Sequence, residues 1–462
     1  MKFEPQKITI EDSMDAIIDY RGKTPQKSSS GIPLITAKIV KNGTILPPTE
    51  FIPSDDYDNW MVRGLPEVGD VVLTTEAPLG EVAQLWDTKI ALAQRIVTLR
   101  GKSGLLHNDY LVYLLQSSTI QNQLNARSTG TTVKGIKQSE LRKIVLDIPS
   151  LDYQKWAAEC LQSLDRKIKN NNQISQTLEQ MAQALFKSWF VDFEPVRAKI
   201  SVLEAGGSQE DATLSAMRVI SGKDADALVI FEREHLEQYT ELKATAELFP
   251  SAMQKSTLGE IPKGWRLGML SDIAIFANGK IDVSSLTPET YISTENMLEN
   301  RMGISSASSL PSANSVPSFR CGHVLISNIR PYFKKIWLSR FNGGRSADVL
   351  AFEPRGAVSV EYIYNLLYQD SFFDYMMLTS KGVKMPRGDK TAIMRWQCIC
   401  PEKEISDAFT NVVSQYYPYI ENNITENKTL AQLRDTLLPQ FMSGGIDITN
   451  AAILPCRKTE EE

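Results

Sequence analysis

The chain contains few of the residues that usually carry out catalysis. Its three histidines, His107, His235 and His323, are far apart in the sequence, and no pattern places a nucleophile beside a base. The sequence contains no phosphate-binding G-x-x-x-x-G-K-[ST], no H-E-x-x-H and no G-x-S-x-G. These absences favour a protein that recognises and recruits other molecules, and we predict no catalytic residue in it.

A metal site would have to come from two short segments that contain cysteine. Cys321-Gly322-His323 and Cys398-Ile399-Cys400 include four side chains of types that bind zinc. Paired zinc ligands usually stand two to four residues apart, however, whereas one residue separates each of these pairs. Two β-strands are the alternative, and Asp348 and Glu353 likewise fit a strand edge better than a metal site. We therefore predict no metal.

The charge of the chain is unevenly distributed. The net charge is −5, yet residues 255–400 carry 17 Lys and Arg against 12 Asp and Glu. Residues 151–254 carry 11 basic residues against 16 acidic ones, and residues 401–462 carry 5 basic against 10 acidic. Residues 1–150 carry 17 of each. One globular part is thus basic while the helical parts are acidic. This division indicates separate surfaces for a polyanion and for protein partners.

The residues most suited to contact a polyanion such as DNA lie near predicted loops. Loops with Gly and Lys allow backbone amides and ammonium groups to approach phosphates. In the basic part the candidates are Arg330, Lys334, Lys335, Lys381, Lys384 and Arg387. In the first 150 residues the candidates are Thr74, Thr75, Gly80, Thr132, Lys134 and Lys137.

The first of these regions, residues 1–150, alternates strand patterns with turns. Strands are predicted at 32–36, 69–74 and 144–149 because β-branched and apolar residues cluster there between turn signals. Between residues 109 and 125 the apolar spacing becomes helical. A small polar loop at 128–135 follows that helix.

Two long segments share one helical pattern and stand 252 residues apart. Their apolar residues recur at steps of three and four, which is the period of a helix that buries one stripe against another helix. Asn171 and Asn423 occupy equivalent places, where a polar residue fixes register. The predicted helix-pairing residues are Leu161, Leu164, Ile168, Asn171, Leu178, Met181, Leu185 and Trp189 in the first segment, and Ile420, Asn423, Leu430, Leu433, Leu437 and Phe441 in the second.

The region before the second helix repeats the plan of the first, which predicts a tandem repeat. Residues 322–327 correspond to 69–74, residues 380–384 to the loop at 128–135, and residues 396–401 to the strand that ends at Pro149. The first helix should follow the N-cap Ser150 and end at Glu194-Pro195. Pro418 should kink the second helix or delay its start, so that only 422–442 is straight. We expect 194–256 to be a partly ordered connector with a short helix near 227–236.

Length and composition are those of an ordinary globular protein. The 462 residues predict two to four domains. No apolar run approaches the roughly 20 residues that span a bilayer, and no signal pattern begins the chain, so we expect a cytoplasmic protein without a membrane segment. The five cysteines are too few and too irregular for a disulfide scaffold: Cys160, Cys321, Cys398, Cys400 and Cys456.

Three segments carry a resemblance to a known family. The most specific is Ala184-Leu185-Phe186-Lys187-Ser188-Trp189-Phe190-Val191-Asp192-Phe193-Glu194-Pro195. It is supported by Gly259-Glu260-Ile261-Pro262-Lys263-Gly264-Trp265 and by Leu437-Leu438-Pro439-Gln440-Phe441-Met442-Ser443-Gly444. With these segments in this order, nearly the whole chain resembles the type I restriction–modification specificity subunits. Pro418, and Ser406 at the place that corresponds to Gln154, depart from the repeated helix pattern.

The resemblance implies an α+β fold. It consists of two mixed α/β target recognition domains separated by a pair of long antiparallel coiled-coil helices, in a pseudo-twofold tandem repeat. The implied parts are target recognition domain 1 (1–150), a first spacer helix (151–193), a connector (194–256), target recognition domain 2 (257–400), a second spacer helix (401–445) and a C-terminal tail (446–462).

The resemblance also implies partners. In that family each recognition domain reads half of a split site in double-stranded DNA, two modification subunits bind the helical spacer, and restriction subunits, which are motor-nucleases, join through them. No cofactor is expected in this chain. S-adenosylmethionine, ATP and magnesium are expected in the partner subunits, because this sequence also lacks the Asn-Pro-Pro-aromatic motif of adenine methyltransferases.

Two alternatives remain at this stage. The basic region could be a nuclease by itself, in which case the purified chain would cut DNA with magnesium. The repeats could instead be a scaffold that binds only proteins, in which case the chain would lack the salt-dependent DNA affinity of a phosphate-binding protein.

The family arrangement predicts the form of the DNA site. A helix over 151–193 would be about 60 Å long. Recognition units beside such a rod should read half-sites whose centres lie about 34–36 Å apart, roughly one DNA turn. Because the two units differ in sequence, the halves should differ, and a fixed gap should separate them. The sequence does not predict which bases are read.

Overall fold

The structure, a computed structural model, describes residues 4–130, 133–257, 259–356 and 358–446. By its contacts the chain divides into two units: Met1–Asn171 with Thr425–Glu462, and Asn172–Ile424. No helix in the described ranges is both long enough and apolar enough to cross a membrane.

The first unit contains mostly short strands and helices. Its strands are β1 (Gln6–Thr9), β2 (Met14–Asp19), β3 (Ile32–Ile35), β4 (Val40–Lys41), β5 (Thr44–Ile45), β6 (Phe51–Ile52), β7 (Val71–Thr75), β8 (Leu79–Gln84), β9 (Ala91–Leu92), β10 (Ile96–Gly101) and β11 (Val145–Ile148). Its short helices are α1 (Ile10–Ser13), α2 (Tyr57–Trp60), α3 (Asn108–Gln116), α4 (Ser118–Arg127) and α5 (Gln138–Leu141), with a 3-10 turn at Ser54–Asp56. They are followed by the long helix α6 (Leu151–Phe190).

A four-stranded antiparallel sheet, ordered β2-β10-β7-β8, forms the centre of this unit. Successive residues of β7 point to opposite faces, so Val71 and Leu73 join one core, with Tyr110 of α3, while Val72 joins another, with Leu34 of β3. Because both faces are covered, β7 is buried along its whole length. Strands are confirmed at all three predicted places, and the predicted helix is divided into α3 and α4 at Ser117.

The second unit begins within α6 and continues through four helices before its sheets. The helices are α7 (Glu194–Glu204), α8 (Gln209–Ser221), α9 (Ala225–Glu234), α10 (Leu236–Glu247), α11 (Leu270–Ile273), α12 (Val360–Leu367), α13 (Asp370–Leu378), α14 (Lys390–Met394), α15 (Lys403–Val413) and α16 (Tyr416–Ser443), the last of which continues into the first unit. The strands are β12 (Met253–Ser256), β13 (Gly259–Pro262), β14 (Arg266–Met269), β15 (Ala274–Phe276), β16 (Lys280–Asp282), β17 (Tyr291–Ile292), β18 (Ser315–Phe319), β19 (Val324–Ser327), β20 (Ile336–Leu338), β21 (Gly343–Arg345), β22 (Val349–Pro354) and β23 (Gln397–Cys400), with 3-10 turns at Val283–Ser285 and Pro331–Phe333.

The main sheet of the second unit has the same plan as that of the first. Its order is β15-β22-β19-β20, and β14 pairs with β23 as β1 pairs with β11. Strand β19 is buried, like β7, and occupies the equivalent place beside a longer antiparallel neighbour. The second unit adds a sheet ordered β16-β18-β21-β17. The predicted α+β tandem repeat is therefore confirmed, with different additions to each copy.

Within the first unit, the start of α6 and the end of α16 pack antiparallel. The Tyr153 hydroxyl donates to the Phe441 carbonyl at 3.0 Å. Further along α6, Asn171 Nδ2 donates to Glu426 Oε2 at 2.7 Å. Residue numbers therefore rise along α6 while those of the contacting residues on α16 fall. Between these two contacts, Arg434 Nη1 of α16 lies 2.9 Å from Asp165 Oδ1 of α6.

Within the second unit, the remaining parts of the same helices also meet. Asn423 Nδ2 donates to Ser175 Oγ at 3.2 Å. Farther along α6, Phe186 and Trp189 pack against Phe409 of α15, with ring centroids 5.7 and 6.0 Å apart. The two seam asparagines, Asn171 and Asn423, thus both form hydrogen bonds between helices, as expected of polar residues that fix register.

The predicted helix-pairing residues differ in burial. Leu161, Asn171, Trp189, Ile420 and Phe441 are buried, and Leu164, Ile168, Leu178, Leu185, Asn423, Leu430 and Leu437 are half-buried. Met181 and Leu433 are more exposed than the other predicted pairing residues, at 47% and 43%.

The exposure of Met181 has a physical cause. Beyond Leu178 the buried positions are Ala182 and Phe186, one residue after Met181 and Leu185, together with the predicted Trp189, because this part of α6 packs against a globular core as well as a helix. Leu433 is exposed because the next residue, Arg434, points toward α6 and pairs with the Asp165 carboxylate.

The second spacer consists of two helices rather than one. Helix α15 ends at Val413 and α16 begins at Tyr416. Pro418 lies in the first turn of α16, where a missing backbone N–H costs no helical hydrogen bond. The delayed start is confirmed, although it falls earlier than residue 422. Residue Pro439 lies inside α16, which continues past it to Ser443.

The connector is folded, contrary to the expectation of partial order. Helices α7 to α10 occupy most of residues 194–247. Helix α6 ends at Phe190, before the predicted stop at Glu194-Pro195, and Pro195 lies in the first turn of α7. Ser208 and Asp211 form a reciprocal capping box at the start of α8, and Met217, Leu228 and neighbouring residues form a small core of their own. The sequence pattern missed this core because each helix contributes only a few apolar residues.

The hydroxyl of Tyr153 offers a test of the helix pairing in the first unit. Replacing Tyr153 by Phe removes the buried donor to the Phe441 carbonyl and to the Ile446 carbonyl at 3.2 Å. We expect the free energy of unfolding to fall by about 1–2 kcal/mol, measured by denaturant unfolding. Tyr332→Phe, at an exposed site, serves as the control and should cause little change. Equal effects of the two changes would contradict the assigned contact.

Candidate nucleic-acid interface

In the first unit, the loop after α4 folds against the end of β7. Thr129 and Gly135 exchange two backbone hydrogen bonds, of 2.8 and 2.9 Å, which close the loop. The Ile136 N–H donates to the Thr75 carbonyl at 3.0 Å and joins the loop to the sheet. Val133 and Lys134, near the loop tip, are exposed. The loop is therefore held at its base and open to solvent near its tip.

The second unit repeats this arrangement with other residues. Lys381 and Arg387 exchange two backbone hydrogen bonds of 2.9 Å each. The Arg330 N–H, shortly after β19, donates to a loop carbonyl at 2.8 Å. Lys381 and Arg387 stand 252 residues after Thr129 and Gly135. The correspondence of the two loops, predicted from sequence, is thus present in the backbone hydrogen bonds.

Each loop turns at a glycine that no other residue could replace without strain. Gly130 and Gly382 have φ values of 104° and 96°, in a region that L-residues rarely adopt. A Cβ atom at Gly130 would lie 2.1 Å from the Val133 carbonyl oxygen, and one at Gly382 would lie 3.1 Å from that of Met385. The glycines therefore allow both tips to fold back over their own backbone.

Carboxylates hold the base of the second loop. Lys381 Nζ lies 2.6 Å from Asp389 Oδ2, and Arg387 pairs with Asp348. Asp389 also caps α14 by accepting two backbone N–H groups at 2.9 and 3.2 Å. Lys381 and these N–H groups lower the pKa of Asp389, and Asp389 raises the pKa of Lys381. The Lys381–Asp389 pair is thus formed at neutral pH, and it is lost as pH falls through the lowered pKa of Asp389 or rises through the raised pKa of Lys381.

An arginine performs the corresponding role in the first unit. Arg21 Nη1 donates to the Ile136 carbonyl at 2.7 Å, and its Nε lies 3.2 Å from Asp19 Oδ2. A cleft of about 360 Å³ beside the loop is lined by Arg21, Glu76 and Lys137, among other residues. The loop base is therefore anchored by charge in both units, although through unrelated residues.

The predicted contacts of the first unit fall into three groups. Thr74 and Thr75 are buried in β7, where Thr74 Oγ1 accepts the Glu81 N–H at 2.9 Å, so these predictions of surface contacts were wrong. Gly80 is half-buried, and its carbonyl accepts from Gln121 at 2.8 Å. The lysines Lys134 and Lys137 are exposed at the loop. Thr132 lies outside the described residues.

The predicted contacts of the second unit lie on or near one loop. Lys381, Lys384 and Arg387 belong to it and are exposed, while Arg330 is half-buried beside it. Lys334 pairs with Asp370 at 2.8 Å, and Lys335 Nζ donates to the Thr294 carbonyl at 2.8 Å. Lys384 is the loop cation that forms no hydrogen bond or ion pair within the described residues.

Sequence reasoning missed Arg21, Asp348 and Asp389 as positioning residues. Arg21 and the Ile136 carbonyl are 115 residues apart in the chain, and no local pattern marks them as partners. Asp389 had a signal, because an aspartate directly before a short helical pattern is a typical N-cap.

The residues considered as metal ligands do not come together. Among residues 4–130, 133–257, 259–356 and 358–446, no group of three or more His, Cys, Asp and Glu is placed to hold a metal ion. Cys398 and Cys400 are buried in β23, and Cys321 is exposed in a turn. His323 Nε2 lies 3.2 Å from Glu353 Oε2, while burial lowers the pKa of this histidine.

These features define a class of protein. Each unit presents a loop with exposed lysines, held by hydrogen bonds at the end of a buried strand, and the two loops share one backbone plan. Exposed lysines beside glycine turns are suited to phosphates. The fold and the site together are those of a repeated nucleic-acid-recognition protein.

Comparison with known proteins identifies the family. A model of the type I restriction modification DNA specificity domain matches residues 20–180. The type I restriction enzyme HindI specificity subunit of Haemophilus influenzae is 30% identical over 381 residues, which cover 77% of this chain and 81% of that protein. The MjaIX specificity subunit of Methanocaldococcus jannaschii is 24% identical over 411 residues, which cover 82% of this chain and 78% of that protein. A crystal structure of the type I S subunit from M. genitalium aligns over 95% of this chain and 96% of that one, with 15% identity and a TM-score of 0.48.

The chain belongs to the family of type I restriction enzyme specificity subunits. It is a DNA sequence-recognition subunit of a restriction–modification system and is not itself an enzyme. The resemblance inferred from the three sequence segments is confirmed.

Proposed function

We propose that this chain binds double-stranded DNA at a bipartite, asymmetric site. The loop at 128–135 and its surroundings read one half, and the loop at 380–388 and its surroundings read the other. The observation that carries this proposal is the recurrence of one loop geometry with different residues. A shared backbone plan indicates a shared task, whereas Thr129 and Gly135 in place of Lys381 and Arg387 indicate different targets.

The same proposal includes the partners of the chain. Two modification subunits bind the spacer helices, and restriction subunits join through them. S-adenosylmethionine, ATP and magnesium are held by those subunits, and the complex works in the cytoplasm. Exposed apolar side chains along α6 and α16, including Ile174, Met181 and Leu433, support a protein-binding role for these helices.

Lys384 provides the test of the DNA-facing surface. Replacing Lys384 by Gln should weaken binding equally for all duplexes and make the slope of log affinity against log salt less negative by about 1, because one phosphate contact is lost. The measurement is a fluorescence titration of the chain, in complex with its modification subunits, at several salt concentrations. Lys243→Gln, at an exposed site on α10, is the matched control and should leave the slope unchanged.

Two results would overturn the proposal in different ways. DNA affinity that does not fall with salt would favour the alternative of a scaffold for proteins alone. Cleavage of DNA by the purified chain with magnesium would favour a stand-alone nuclease. An unchanged slope in the Lys384 variant, with normal wild-type binding, would remove this loop from the phosphate-contacting surface.

A further inference from the structure

Both loop tips expose apolar side chains. Val133 is 51% exposed and Met385, which stands 252 residues later, is 53% exposed. Val383, in the second loop, is fully exposed. These three residues belong to none of the hydrophobic cores formed by the described residues. The same position in two divergent loops is therefore apolar and faces solvent.

The exposure is imposed by the loop geometry. The second loop is closed by the paired hydrogen bonds of Lys381 and Arg387, and its base is held by Asp389 and Asp348. The glycine turns direct the chain back over itself before the apolar residue. Because the backbone is fixed in this way, Met385 remains at the surface although no core contact compensates for the exposed apolar area.

The surroundings of the tips identify the kind of partner. Lys384 on the second loop, and Lys134 and Lys137 on or beside the first, are exposed, while Lys381 and Arg387 are each paired with a carboxylate at the loop base. Exposed lysines beside the tips disfavour a basic or purely apolar protein partner and favour a polyanion. Duplex DNA is a polyanion that also presents apolar groups, namely the thymine methyl groups in the major groove and, where a base step is opened, the faces of the bases.

We propose that Val133 in the first unit, and Val383 with Met385 in the second, contact nucleobases directly and contribute to base discrimination. The flanking lysines hold the phosphates on either side, while the apolar tip enters a groove. This inference rests on the proposed function and adds that the charged and the apolar residues of each loop have different roles. Charged residues supply affinity that is independent of sequence, and apolar residues supply specificity.

The test compares specific with random duplexes. The target is first identified by methylome sequencing of a host that carries the complete system. The double variant Val383→Ser with Met385→Ser, in complex with the modification subunits, should bind the target about 10-fold more weakly, which corresponds to about 1.4 kcal/mol, because two apolar contacts with bases are lost. Its affinity for random duplexes, and its salt slope, should equal those of the wild type, since no charge is removed.

Two further variants complete the design. Val133→Ser should relax discrimination only at the other half of the target, read by the first unit. Val229→Ser, which removes a similarly exposed valine from α9, is the control and should change neither binding nor discrimination. Thermal unfolding checks that all variants are folded, which surface positions should permit.

The outcomes separate this inference from the proposed function. If the wild-type complex does not distinguish the target from random duplexes, the proposed function fails. If the wild type distinguishes them and the tip variants do so equally well, only the inference fails. Equal weakening on target and random duplexes would also overturn it, because the tips would then contribute without reading bases.

Discussion

Exchange of residues 1–150 for the corresponding unit of another family member should change one half of the DNA target completely and leave the other half and the gap unchanged. The reason is that the first recognition loop and its anchors, including Arg21 and Asp19, lie within residues 1–150. The second loop has its own anchors, Asp348 and Asp389. Methylome sequencing of a host that carries the exchanged system measures both halves and the gap at once.

An insertion provides the complementary control. Adding one helical turn of residues after Leu178, within α6, should change the length of the gap and keep both half-sequences, because the reading loops are untouched. A domain exchange that altered both halves would contradict the modular interpretation. So would an insertion that altered a half-sequence while the gap stayed constant.

The largest expected effect on stability is at Trp189. This side chain is completely buried among aromatic rings and packs edge-to-face on Phe249 with centroids 5.1 Å apart. Trp189→Ala should lower the free energy of unfolding by about 3–5 kcal/mol, because a large cavity replaces the indole. Denaturant unfolding followed by circular dichroism measures the change, with Met181→Ala on the exposed side of the same helix expected to stay within about 0.5 kcal/mol.

A second substitution at Trp189 makes the prediction sharper. Its indole N–H is buried and has no hydrogen-bond partner among the described residues. Trp189→Phe therefore removes an unsatisfied donor while keeping much of the aromatic packing, so it should cost clearly less than Trp189→Ala. Equal costs for Phe and Ala at this position would show that the ring contacts contribute little.

The tandem repeat, the spacer helices and the two loops were predictable from the sequence because each depends on local patterns. Steps of three and four residues define a helix whatever it packs against. Pro418 marks a late start for α16 because its ring excludes it from the helix interior. Glycine turns such as those at Gly130 and Gly382 are local as well, since the backbone conformation that they require belongs to one residue.

Burial and partnership were decided only by the tertiary structure. Thr74 and Thr75 looked like surface residues, yet they are buried because the sheet is covered on both faces. Met181 matched the helical period, but the neighbouring Ala182 is buried instead, because this part of α6 also packs against a globular core.

The anchors of the loops at 128–135 and 380–388 illustrate the same limit of sequence reasoning. Arg21 reaches the Ile136 carbonyl across 115 residues, and Arg387 pairs with Asp348 in the turn before β22. A local pattern can show that a loop is small, polar and basic. A local pattern does not show which side chains hold that loop or which side of a helix is covered. Both depend on contacts between distant parts of the chain, which form only when the sheets and helices pack together.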